Sequence, residues 1–400
     1  MRTDQNTLIL NIVSGSLHIG NLVILSVSAS EYLPQLGLKE SASGMLYSIN
    51  WAGALFSLFL FSWWSNFGYA YPSYTSAILA MLGNFLNSLA FQHGYELAYI
   101  GRFLFGLGTP RVLNRRYIGD HTQSSERTKW ATYYVAGCLL FSSISSYALG
   151  WMNFEAENFG LIVNKHTSPG YIMAAVWLIY IFAMALMFKE PADKSSSSSP
   201  IKSDQSSLLF AGYGLWAAFL SKLMMDYLVL SAPLVLVHTW NWENKSVGTF
   251  FGFAYLAVFF IQLYLANYSR GSQETRLLVL GIGVAGIGGS MISSLWYSSL
   301  IQYLVGAIVL LSGTNFTDGV TTSFLSKCLP PSYSTGILNA GFLVTLCGTL
   351  GRIAAGLIIA YIDQGNYDLL NLLMFPMMVC CVATMFLFRN NSRDLEGKID

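Results

Sequence analysis

The stretch "KEPADKSSSSSPIKSDQSS", residues 189–207, decides the architecture. It is polar, low in complexity and has no apolar stripe with which to join a core, so it reads as a flexible linker. Outward from it the chain turns apolar in both directions. Six segments precede it, near 7–29, 42–64, 73–91, 97–118, 130–150 and 170–188, and six follow, near 208–234, 247–267, 276–296, 299–323, 335–360 and 368–388. Each is close to the roughly 20 residues that a helix needs to cross a bilayer. The expectation is an all-α integral membrane protein with twelve transmembrane helices in two six-helix pseudo-symmetric halves. Residues 1–188 form the first half, 189–207 a cytoplasmic linker, 208–388 the second half and 389–400 a cytoplasmic tail.

Composition agrees with that class. Of 400 residues, 54% are hydrophobic and only 10% charged, and the mean hydropathy is +0.50, outside the range of soluble domains. A net charge of +1 provides no basic excess for nucleic acid. The five cysteines show no CxxC or metal-ligand spacing, so neither metal nor cofactor is expected. None of the five histidines stands in a triad-like context, which argues against an enzyme. The first apolar run, beginning near Thr7, is long enough to span and stay rather than be cleaved. "GIGVAGIGG" at 281–289 lies inside an apolar span with no preceding strand and no Walker lysine, and reads as helix packing.

Orientation follows from the basic residues in the loops. With both termini cytoplasmic, that side holds Arg2, Arg115, Arg116, Arg127, Lys129, Lys189, Lys194, Lys202, Arg270, Arg276, Lys327, Arg389, Arg393 and Lys398. The other side holds Lys39, Lys165 and Lys245.

Four cations remain inside apolar spans: Arg102 and Arg111 in the fourth, Lys222 in the seventh and Arg352 in the eleventh. The acids there are Asp226 and Asp318. An intramembrane charge costs about 2.5–3.5 kcal/mol on insertion scales, so each marks a candidate functional site. Lys222 and Asp226, at i and i+4, are expected to neutralise each other in part. Asp318 balances one more cation, which leaves a surplus of two positive charges suited to an anion. Pro110 removes a backbone donor beside Arg111 and is expected to kink the helix there. Arg102 reads as a structural pin or a snorkelling side chain, and Arg116 as a positive-inside anchor. Arg115, one turn from Arg111, reads as a vestibule cation. His18 and Asp318 each carry two readings, proton carrier or structural partner.

Two six-helix sets around a cytoplasmic linker match the plan of the major facilitator superfamily, in which helices 1, 4, 7 and 10 line a central cavity. On that plan His18, Arg111 with Asn114, Lys222 with Asp226, and Asp318 face one site. "PRVLNRRYIGD" at 110–120 resembles helix 4 of the SPX-MFS proteins, the plant vacuolar phosphate transporters, in its Arg-x-x-Asn-Arg-Arg-Tyr-Ile form. The resemblance continues in "FSWWSNFGY" at 61–69, "PGYIMAAVWLIY" at 169–180 and "FKEPA" at 188–192. In the second half it runs through Lys222 to Asp226, "DGVTTSFLSK" at 318–327 and "ILNAGFLVTLCGTLGR" at 337–352, which carries Asn339 and Arg352. Phe67 and Tyr71 stand where the family has basic residues, and Asp226 and Asp318 where it has glutamates. Helix 1 begins within ten residues of Met1, so the family's sensor domain and its regulation are not expected here.

The resemblance implies a transporter of a small inorganic anion, phosphate first, in a vacuolar or lysosome-like membrane. Its substrate contacts would be Arg111, Asn114, Arg115, Lys222, Asn339 and Arg352. Asp226, Asp318 and His18 would serve proton coupling or charge pairing. Membrane lipids are the other expected partners, nucleic acid is not one, and a monomer is expected. An MFSD8-like lysosomal chloride channel and an organic-anion transporter remain as alternatives.

Overall fold

The computed structural model describes residues 5–122, 126–151, 156–158, 161–190, 205–268, 274–293, 299–329, 339–362 and 367–399. Most of the expected linker, residues 191–204, lies outside them. Among the described residues fourteen helices follow in order: α1 (Gln5–Gln35), α2 (Ala42–Trp64), α3 (Ala70–His93), α4 (Glu96–Leu107), α5 (Arg111–His121), α6 (Arg127–Trp151), α7 (Ser168–Met187), α8 (Gln205–Trp240), α9 (Asn244–Tyr268), α10 (Glu274–Ile292), α11 (Leu300–Cys328), α12 (Ala340–Tyr361), α13 (Tyr367–Leu372) and α14 (Met374–Ile399). Between α6 and α7 a short antiparallel hairpin pairs β1 (Ala156–Asn158) with β2 (Leu161–Val163), which hydropathy alone did not suggest. Among the described residues, ten helices are long and apolar enough to cross a membrane.

The chain is an all-α, multi-pass membrane protein, and its polarity is distributed accordingly. Large apolar side chains such as Phe56, Phe182, Leu186 and Phe253 point outward. Asn21, Asn50, Arg102, Lys222, Asp226 and Arg352 are buried. Lipid is as apolar as leucine, so hydrophobic burial does not drive these helices together. Close backbone packing and hydrogen bonds take its place.

Glycines provide that packing at the seams. A Cβ on Gly106 would meet the backbone of Asn50 in α2, and one on Gly108 would lie 2.7 Å from Ser76 O in α3. α4 is thereby clamped between α2 and α3. Helices before residue 190 meet those after 205 along two seams. At the first, Gly44 of α2 abuts Gly356 of α12, and Ser48 Oγ donates to Ile353 O at 3.2 Å. At the second, Ser143 Oγ of α6 donates to Gly252 O of α9 at 2.7 Å. The Gly281–Gly289 run packs α10 on α11, where a Cβ on Gly313 would lie 2.6 Å from Gly281 O.

The expected kink at Pro110 is a complete break. Gly108 N donates to Leu104 O and Thr109 N to Gly106 O, both at 2.9 Å, which closes α4. Pro110 supplies no N–H, and its ring excludes the carbonyl a turn earlier. α5 then starts afresh, with Asn114 N donating to Pro110 O at 2.9 Å. Arg111 is therefore the first residue of a new helix.

Candidate functional site

The break places a helix N-terminus inside the protein. The first amides of α5 have no intrahelical acceptors, and the helix dipole adds positive potential at the same point. A guanidinium at this first position, Arg111, increases the positive potential further.

Arg111 and Arg115 of α5 converge with Lys222 of α8 on the single carboxylate of Asp318 in α11. Arg111 Nη2 lies 3.3 Å from Asp318 Oδ2, Arg115 Nη2 2.5 Å from Oδ1, and Lys222 Nζ 3.0 Å from Oδ2. Arg115 Nη1 also donates to Thr322 Oγ1 at 3.3 Å. All four charged side chains are buried. Beside them Arg352 Nη1 of α12 lies 3.1 Å from Asp226 Oδ2 of α8, an ion pair without hydrogen-bond alignment.

The closest ion pairs differ from the pairing expected within α8, where Lys222 and Asp226 were to neutralise each other in part. Lys222 makes its close contact with Asp318, and Asp226 with Arg352. Spacing at i, i+4 puts both α8 side chains on one face, but α11 and α12 pack against that face and offer each a closer partner.

The membership of the charge surplus changes too. Arg102 is buried, which excludes snorkelling, and its electrostatic neighbour is Tyr32 near the opposite end of α4. Arg115 takes its place in the central group. Arg111, Arg115, Lys222 and Arg352 there face Asp226 and Asp318, again two positive charges in excess.

Trp51 of α2, fully buried, completes the group, and the sequence analysis did not single it out. The Arg352 guanidinium carbon lies 4.1 Å from its ring centroid and that of Arg111 5.9 Å away. An aromatic face stabilises a cation without offering it a counter-charge. The N–H edges of both guanidiniums are left for other acceptors, and Arg111 Nη1 has no hydrogen-bond partner among the described residues.

The remaining candidates flank this centre. His18 stacks on Phe105 at 4.4 Å, and its Nε2 is 2.9 Å from Thr109 Oγ1, beside the helix break. Its charged neighbours are Arg111 and Arg352, and no carboxylate contacts it among the described residues. Asn114 accepts from Ser14 Oγ at 3.2 Å. Asn339 caps α12, its Oδ1 accepting from Phe342 N at 2.9 Å, so this oxygen serves the helix. Asn339 and Arg115 both border Gly341, where an added Cβ would lie 3.3 Å from Asn339 Oδ1 and 3.4 Å from Arg115 Cβ.

Arg116, expected as an interfacial anchor, is buried. Its Nη1 donates to Ser62 O at 2.7 Å and Ser65 Oγ at 2.8 Å, its Nη2 to Asn66 Oδ1 at 2.6 Å, and it pairs with Asp120. It ties α5 to the turn between α2 and α3. Glu190 braces the same turn by accepting from Tyr69 N and Ala70 N at 2.6 and 2.8 Å. Burial, with the Asp120 carboxylate beside it, holds the Tyr69 phenol well above its ordinary range.

A small cavity reaches the charge group from the C-terminal end of α5. Arg115, Gly119, Tyr134, Asp318, Thr322 and Ser323 line it, so it lies between α5, α6 and α11.

A family model described as Major Facilitator Superfamily matches residues 11–356. Among curated proteins, SPX domain-containing membrane proteins of Arabidopsis thaliana and of Oryza sativa are each 26% identical over 95% of this chain. The chain spans 63% of the length of these relatives. Among solved structures, the human organic anion transporter MFSD10 (TETRAN) superposes with a TM-score of 0.72 at 12% identity, covering 96% of this chain and 100% of that one. The proton:xylose symporter XylE gives 0.70 at 11% identity, covering 96% and 95%. At such identities these two superpositions report the fold alone.

Proposed function

The chain belongs to the major facilitator superfamily, and from that premise we propose that it is a secondary transporter moving a small anion, inorganic phosphate first, across an endomembrane by alternating access. One observation carries this reading: among the described residues, four buried cations and a helix N-terminus share a site with two carboxylates. Two surplus positive charges suit a divalent anion. Arg111 and Arg115 approach from helices before the linker and Lys222 and Arg352 from helices after it. An anion bridging them draws the two sets of helices together.

We read α4 with α5, and α13 with α14, as single broken spans, and this reading supports twelve spans in two sets of six, 1–188 and 208–388. The bias of loop cations supports placing both termini and the 189–207 linker on the cytoplasmic side. Phosphate and a vacuolar or lysosome-like membrane rest on the motif resemblance to vacuolar phosphate transporters and on the relatedness to SPX domain-containing membrane proteins.

The test is uptake of labelled phosphate into proteoliposomes. A guanidinium presents a planar fork of N–H donors that an ammonium cannot reproduce. Arg111→Lys is expected to lower uptake about tenfold, the worth of one charge-assisted hydrogen bond, whereas Arg102→Lys lowers it far less. Equal tolerance at both positions removes Arg111 from the binding site. Folded protein that carries chloride or an organic anion while excess phosphate neither competes nor is carried overturns phosphate as the substrate.

A further inference from the structure

A surplus of positive charge attracts any small anion, and charge alone does not tell a halide from an oxyanion. Hydrogen-bond donors set to one side of the cations do, because they act only on an acceptor within reach. Three buried donor groups near the inner end of the cavity have no hydrogen-bond partner among the described residues: Arg111 Nη1, Asn114 Nδ2 and Tyr134 Oη. Arg111 and Asn114 belong to α5, and Tyr134 to α6. The first two are legible in the sequence as site residues, whereas Tyr134 is one of 23 tyrosines and has nothing beside it in the chain to mark it.

The phenol is held in a fitted space. Tyr134 is 3% exposed, and its polar end passes α1 at Gly15, where an added Cβ would lie 2.5 Å from the hydroxyl oxygen. α1 thus gives up a side chain to admit that end of the ring. Cys138, Arg111, Arg115 and the Asn114 amide are its polar neighbours, and it lines the cavity with Arg115, Asp318 and Thr322. If the ring served packing alone, the hydroxyl would only cost, since a buried donor without a partner has lost its bonds to water. The two guanidiniums offer it no acceptor, and Asn114 Oδ1 already accepts from Ser14 Oγ. The acceptor that the hydroxyl lacks can arrive only through the cavity.

We propose that Tyr134 is a specificity-determining residue, whose hydroxyl donates to one oxygen of a tetrahedral oxyanion while the cations hold the others, so that the site prefers such an anion to a halide. The proposal rests on the anion-transport reading above. A halide is a single sphere and settles where the field of the cations is strongest. A tetrahedral oxyanion has oxygens on every side, so when Arg111 and Lys222 hold two of them another still faces the wall formed by α6. Asn114 Nδ2 stands ready on the α5 side of the same wall. The phenol is uncharged and adds nothing to the long-range attraction. Its contribution depends on the shape of the anion, and a ligand that cannot reach it leaves a buried donor unpaired.

Calorimetric titration of the purified full chain at pH 7 with phosphate, sulfate and chloride tests the proposal. Wild-type protein is expected to bind both oxyanions more tightly than chloride. Tyr134→Phe keeps the ring in its space and removes only the hydroxyl, so its melting temperature should match that of wild type. It should bind phosphate and sulfate about tenfold more weakly, the worth of one hydrogen bond to a charged acceptor, with its affinity for chloride unchanged. Gly15→Ala displaces the hydroxyl without removing it, and should weaken the two oxyanions in the same selective way. Unchanged oxyanion affinity in Tyr134→Phe overturns the proposal. Chloride binding that weakens by the same factor as oxyanion binding also overturns it, since that marks general damage to the site. Wild-type protein that binds chloride as tightly as phosphate and sulfate does so without any variant. Wild-type protein that binds none of the three anions overturns the transport reading beneath it, an outcome distinct from the others.

Discussion

At the scale of single residues the site depends on holding like charges together without neutralising them, and Trp51 is the side chain that makes this feasible. A carboxylate in its place would pair with Arg352 and Arg111 and cut the surplus available to an anion from two charges to one. The indole face stabilises a desolvated cation by about 2 kcal/mol and leaves the guanidinium edges to carboxylate or anion oxygens. Trp51→Leu is therefore expected to raise the KM for phosphate about tenfold with a smaller change in kcat, and Trp51→Phe to recover much of the loss. A fall in kcat at unchanged KM, equal in both variants, would mark Trp51 as packing only. Arg111, Lys222, Asp226, Asp318 and Arg352 stand out in the sequence because charge inside an apolar span is costly. Their partners do not stand out, since ion pairs form between helices far apart in the chain. Arg111 and Asp318, for example, are 207 positions apart. Trp51 carries no sequence signal at all, because one tryptophan among ten in an apolar span looks like any lipid-facing or core aromatic.

At the scale of elements the decisive feature is the break between α4 and α5 together with the glycine clamp that holds α4. Pro110 is visible in the sequence as a helix disruptor. Whether it kinks or breaks depends on Gly108 and Thr109 closing α4 with their own hydrogen bonds. The clamp can be tested separately from the chemistry. Gly106 packs against the α2 backbone at Asn50, next to Trp51, so Gly106→Val must push α2 away. Folded yield and melting temperature should drop sharply, by the several degrees or more expected of an overpacked core. A Cβ on Gly212 of α8 meets nothing within 4 Å, and Gly212→Ala is expected to be neutral or stabilising by up to about 1 kcal/mol. Similar melting temperatures for the two variants would show that α4 is not clamped in this way.

At the scale of the whole molecule, transport requires the two sets of helices to part at one end and meet at the other. The cavity reaches Arg115 and Asp318 from the end of the molecule where α5 finishes. At the opposite end His238, in the last turn of α8, meets Glu40, between α1 and α2, at 3.0 Å. This half-exposed pair joins the two sets where they should separate when access switches. A double variant, Glu40→Cys with His238→Cys, joined by a short reducible thiol–thiol reagent, should lose phosphate uptake and regain it on reduction, while either single variant transports normally. Transport that persists across a verified cross-link would show that this end need not open. The sequence by itself determined the membrane class, the apolar segments, the polar stretch between them and the cost of each buried charge, because hydropathy and charge are local properties of the chain. Only the tertiary structure decided that Asp318 rather than Asp226 holds Lys222, that Arg115 rather than Arg102 joins the central group, and that Trp51 lies beneath two guanidiniums. Each of these depends on which helix faces are neighbours, and that is set by contacts, many of them at glycines, between segments tens to hundreds of residues apart.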